Sequence, residues 1–130
     1  MRLRFLTPPP GLSPLVDFIL DTLDGADGLY ALRSDGTGEI AGNTTEVRMF
    51  VLDSALYLPD YEPPVSAEQH AALGLGDDEP LILVVANPGA SGTTVNLMAP
   101  IVLNRTTGAC AQVILDGAAW PLRAELTRAA

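Results

Sequence analysis

Residues 94–115 read TVNLMAPIVLNRTTGACAQVIL, and whether they form strands or helix decides the fold. Val95, Leu97, Ala99, Ile101 and Leu103 recur at every second position, as do Ala109, Ala111, Val113 and Leu115 after a polar break. Period two is the spacing of strands with one buried face. Asn104 to Gly108 is polar and ends in glycine, which predicts a four- or five-residue hairpin loop. Setting every apolar residue opposite another places Leu103 against Ala109, Ile101 against Ala111, Ala99 against Val113 and Leu97 against Leu115. A slip of one residue breaks all four pairs. Pro100 has no N–H for the ladder and belongs at an edge or a bulge.

Outward from this hairpin the strand signals continue. Pro80 to Ala86, PLILVVA, reads as a buried central strand, and Val47 to Leu52 is apolar on both faces. Leu29 to Leu32, Leu15 to Leu20 and Arg2 to Leu6 add three shorter strands, the last stopped by three consecutive prolines. Tyr57 to Pro64 is a stiff extended connection. One helix is predicted, Ser66 to Leu73. Ser66 and Gln69 have the spacing of a capping box, Gly74 supplies the left-handed stop, and Ala67, Ala71, Ala72 and Leu73 offer a small face to a sheet. Trp120 to Leu126 fits a final strand or a short helix. Strands at short spacing without βαβ alternation predict a mainly β fold, an antiparallel barrel-like single domain over residues 1–130 with one short helix.

The chain has 130 residues, 48% of them hydrophobic, enough for one core. Its longest apolar run falls far short of the ~20 residues of a membrane span, and the arginine-bearing N-terminus lacks the apolar centre of a signal peptide. A soluble cytoplasmic protein is expected, with the lone Cys110 fitting a reducing compartment. Net charge is −9. Asp17 to Glu79 holds fourteen acids against Arg33 and Arg48, a balance of −12, whereas the remainder carries five arginines against Asp116 and Glu125, a balance of +3. Direct nucleic-acid binding by the acidic middle is disfavoured, and a basic protein would be steered toward it.

Catalysis needs convergent groups, and the sequence supplies few. His70 is the only histidine and sits on the predicted helix surface without a ligand partner nearby. Asp21 to Gly28 superficially resembles a calcium loop but lacks the D-x-[DN]-x-[DN]-G pattern, and reads as a solvated turn. Asp77 and Asp78 lie in an exposed run without the desolvation that tunes a general acid. No cofactor, metal site or catalytic set is expected. Binding remains. Asn96, Met98, Pro100 and Val102, with Gln112 and Ile114 across from them, share the hairpin's second face, which either lies beneath another strand or forms a groove for a peptide. Tyr61 either packs over the barrel end or anchors a partner.

TVNLMAPIVLN followed by AQVIL resembles the signature of the FliW family of bacterial flagellar assembly factors. Phe5 with Pro9 to Leu12, Leu32 to Ser34, Pro59 to Tyr61 and Leu73 to Leu75 are similar to further family elements, in family order. Leu12, Ser13 and Arg33 depart from the pattern, and Gly36 to Thr45 is an insertion. The resemblance implies a regulator without catalysis that binds newly made flagellin and also CsrA, a small RNA-binding dimer that represses flagellin translation. Export of flagellin would free the protein to capture CsrA. On this reading Asp60, Tyr61, Asn96, Met98 and Pro100 are the partner-binding candidates. Asn96 and Pro100 match motif letters that serve either fold or recognition. A small-molecule-binding β-barrel is the alternative, and it requires a polar-lined pocket.

Overall fold

A computed structural model of the chain describes residues 1–7, 15–23, 25, 27–34, 38–40, 43–45, 48–58, 61, 63, 65–76, 79–89, 92–115 and 124–125. Among these residues eleven strands and two short helices occur in the order β1 (Arg2–Phe5), β2 (Asp17–Thr22), β3 (Leu29–Ser34), β4 (Gly38–Ile40), β5 (Asn43–Thr45), β6 (Arg48–Asp53), α1 (Ser54–Tyr57), α2 (Ala67–Ala72), β7 (Leu81–Gly89), β8 (Gly92–Val95), β9 (Ile101–Leu103), β10 (Ala109–Gln112) and β11 (Ala124–Glu125).

Seven strands close a barrel in the order β7-β6-β3-β2-β1-β10-β9, with β9 pairing back onto β7. The expected antiparallel pairing holds at every rung but one, because β1 and β10 run parallel, Arg4 opposite Ala109 and Phe5 opposite Cys110. Parity forces this. Strand direction cannot alternate all the way around a ring with an odd number of members, so one parallel pair must close it. Strand β8 branches from the far half of β7 and carries β11 on its outer edge. Ala124–Glu125 is thus strand, and the rest of the predicted C-terminal element lies outside the described residues. The hairpin β4–β5 forms a separate two-stranded ribbon inside the segment read as an insertion.

Alternation sends Leu3, Phe5, Phe18, Leu20, Leu32, Val51, Leu83, Ile101, Leu103 and Cys110 into the lumen, where they form one buried cluster. Phe5 and Phe18 meet edge to face at 5.2 Å, the arrangement that ring quadrupoles favour. Each such side chain contributes about 1.5–3 kcal/mol by leaving water. Two further clusters lie on the outside of the barrel. Leu73 and Leu75 cover Val102, Val113 and Leu115, while Tyr57, Leu58 and Tyr61 pack against Leu52, Val84, Ala86 and Val95.

The structure corrects three expectations. The hairpin register is Leu103 to Cys110, Val102 to Ala111 and Ile101 to Gln112, one residue from the predicted pairing. Period two fixes a register only where one face is apolar. Here Ile101 and Leu103 face the lumen while Val102 is equally buried outside, beneath Leu73 and Leu75. The predicted continuous strand from Thr94 to Leu103 is broken at Asn96–Pro100, between β8 and β9. Helix α2 has its capping box, with Ser66 and Gln69 bonded reciprocally, and Gly74 follows at φ 66°. Its alanines, however, face solvent, and burial is supplied by Leu73 and Leu75 on either side of Gly74. Three methyl groups offer too little area to compete with two leucines. The second helix, α1, is a single turn capped by Asp53, whose Oδ1 accepts from Ala55 N at 3.0 Å. It is too short to show a period.

Candidate functional site

Four of the five residues singled out for partner contact converge on the break between β8 and β9. Asn96 N donates to Val85 O at 2.9 Å, which ends the β8 ladder. The Asn96 side chain then turns the chain. Its Oδ1 accepts from Met98 N at 3.0 Å and Ala99 N at 3.2 Å, the local bonding by which asparagine stabilises a turn. The carbonyls of the turn are claimed in succession. Leu97 O accepts from the Tyr61 hydroxyl at 2.7 Å, Met98 O from Leu115 N at 2.7 Å, Ala99 O from Gln112 Nε2 at 3.1 Å and Pro100 O from Val113 N at 2.9 Å. Ala99 and Pro100 are buried, and Leu97 and Met98 are half-buried.

Each carbonyl from Leu97 to Pro100 thus already holds a donor, which leaves this stretch of backbone little acceptor capacity to offer a partner. Asn96 and Pro100 therefore build the corner, and a contact made here falls to side chains displayed around it, Met98 and the neighbouring Ile114, which is 55% exposed. The expected common face of Asn96, Met98, Pro100, Val102, Gln112 and Ile114 does not form. The corner and the shifted register turn Gln112 toward the lumen side and Val102 outward. Tyr61 packs on the outer face of β6, β7 and β8 rather than over the barrel end. Burial pushes its phenol pKa up to about 12, so it stays the donor that Leu97 O requires. Asp60 lies outside the described residues.

A second asparagine, not among the candidates, holds the other end of β9. Asn104 is 2% exposed. Its Oδ1 accepts from Thr106 N at 2.9 Å and Thr107 N at 3.3 Å, and its Nδ2 donates to Leu73 O at 2.9 Å and Gly74 O at 3.3 Å. The loop Arg105–Gly108 is thereby tied to the C-terminal end of α2. At Gly108, with φ 81°, an added Cβ would run into the Arg2 carbonyl, so this turn requires glycine. In the sequence Asn104 reads only as a turn residue, and its contact to a helix thirty residues away leaves no local signal.

Groups of chemical interest are placed apart. Cys110 is fully buried in the lumen, and desolvation pushes its thiol up to about 12, far from a nucleophilic thiolate. Among the described residues no three His, Cys, Asp or Glu side chains come together as a metal site. No helix among them is long and apolar enough to cross a membrane.

The fold defines a small, closed, mixed β-barrel whose outer face is strapped by two short helices. The model of the FliW protein family matches residues 2–126, and the chain belongs to the FliW family. It is 29% identical over 117 residues to the flagellar assembly factor FliW of Heliobacterium modesticaldum, covering 88% of this chain and 72% of that protein. With FliW 2 of Desulfotalea psychrophila it shares 39% over 80 residues, 59% of this chain and 53% of the relative. The crystal structure of a flagellar assembly factor FliW superposes with a TM-score of 0.80 over 96% of this chain and 84% of that one; at 24% identity this match speaks for the fold.

Proposed function

We propose that this protein is a cytoplasmic flagellar assembly factor that works by stoichiometric binding, without catalysis: it holds flagellin and, once flagellin is exported, captures CsrA and relieves repression of flagellin translation. The match to the FliW family over residues 2–126 carries this reading. The acidic balance of residues 17–79 supports it, since a basic partner would be steered by that charge. A lumen filled by aliphatic and aromatic side chains argues against the alternative of a ligand held inside the barrel. Met98 and Tyr61 remain the contact candidates at the corner, with Asn96 and Pro100 as its framework and Asp60 as a candidate outside the described residues.

Calorimetric titration with the flagellin and the CsrA of the source organism, each alone and then in competition, tests the proposal. Tight one-to-one binding of both, with flagellin displacing CsrA and salt slowing CsrA association, is the expected result. Binding of flagellin alone would leave a chaperone and remove the translational role, and binding of neither would overturn the proposal.

A further inference from the structure

We propose that the mouth of the barrel where β2 ends and β7 begins is a binding site for a small amphiphilic anion, an aliphatic or aromatic body carrying one carboxylate or sulfonate. The lumen cluster stops at Leu20 and Leu81, and above them a cleft of about 420 Å³ opens to solvent. That volume lies within the range of small-ligand pockets. Leu20, Tyr30 and Leu81 form an apolar floor, and Thr22 and Met1 form the wall. Thr22 and Tyr30 pair across β2 and β3, which sets both at the mouth.

Among the described residues two charged side chains, Asp21 and Arg105, line the cleft, with the Met1 α-ammonium beside them donating to Leu20 O at 3.0 Å. They are not equivalent. The Asp21 carboxylate accepts from Arg33 Nε at 2.8 Å, so its charge is already matched. Arg105 is exposed and has no ion-pair partner among the described residues. It projects from the turn that Asn104 ties to α2, so its base is fixed while its guanidinium is free. An unmatched guanidinium at the rim of an apolar floor suits a ligand whose body leaves water on the floor while its head group takes two parallel hydrogen bonds from it. This site is separate from the corner at Asn96 and does not depend on the flagellar reading.

Fluorescence titration with anilinonaphthalene sulfonate, and with the uncharged phenylnaphthylamine as its counterpart, tests the assignment on the intact protein. One sulfonate per chain is expected. Arg105→Glu should weaken the sulfonate by about tenfold or more and leave phenylnaphthylamine within about twofold, while Thr22→Trp, which fills the cleft, should weaken both by about tenfold. Both positions are exposed, and unchanged urea midpoints would separate loss of binding from loss of fold. Sulfonate binding at several sites per chain, or binding that either variant leaves intact, would overturn the proposal.

Discussion

Asn96, which opens the corner leading into β9, and Asn104, which follows β9, perform the same local act: each Oδ1 accepts from the amides two and three residues on. Their amide nitrogens differ. Asn104 Nδ2 reaches across to Leu73 and Gly74, whereas Asn96 Nδ2 makes no hydrogen bond to a described residue. One asparagine shapes its own turn; the other also fastens a helix to the barrel, from full burial. One turn motif takes on a tertiary role when burial leaves its remaining donor no water to bond.

Asn104→Asp should break this equivalence most sharply. It keeps the acceptor but removes the donor and sets a carboxylate against two carbonyl oxygens in a buried site, so a loss of about 3 kcal/mol or more is expected in urea unfolding. Asn104→Ala removes both functions and should cost about 2–4 kcal/mol, against about 1–2 kcal/mol for Asn96→Ala, measured the same way. Tyr61→Phe deletes the hydroxyl bond to Leu97 O in the Asn96 corner and should cost about 0.5–1.5 kcal/mol. Asn96→Asp preserves the one function that the corner uses and should stay within about 0.5 kcal/mol of the parent.

The pH dependence of β10, the strand paired with β9, gives a further test. Cys110 lies opposite Leu103, next to Asn104, and its folded pKa of about 12 stands above the ordinary value of 9.0. A thiol whose folded pKa is raised contributes stability that is complete below its unfolded pKa and is lost as pH rises toward the folded one. Stability should therefore decline between pH 9 and 12 by at most about 1.4 kcal/mol per pH unit from this group. Cys110→Ala should flatten that decline, leaving the smaller part due to Tyr61.

The strands, the capped helix α2 and the polar positions of the corner could be read from the sequence because each rests on local spacing: period two, Ser66 with Gln69, asparagine before a turn. The register could not, since Val102 and Leu103 are both buried and a one-residue slip leaves the count of apolar contacts nearly unchanged. The parallel closure and the clasp of Asn104 on Leu73 join residues far apart in the chain, and no window of sequence contains both partners. At the candidate site the resemblance singles out Asn96 and Pro100 as partner contacts. Only the run of claimed carbonyls shows that they serve the backbone.

The parallel rung between β1 and β10 also sets a timetable. Arg4 finds Ala109 only after more than a hundred intervening residues have left the ribosome. At roughly 5–20 residues per second the first strand waits roughly 5–20 seconds for one of its two neighbours. Until then β1 can hold β2 but the ring stays open, with the lumen leucines wetted, and closing so long a loop makes folding slow. A chain built this way completes its barrel all at once and late, when its last barrel strand arrives, and a stalled or shortened copy missing β10 would be an open sheet with two exposed edges.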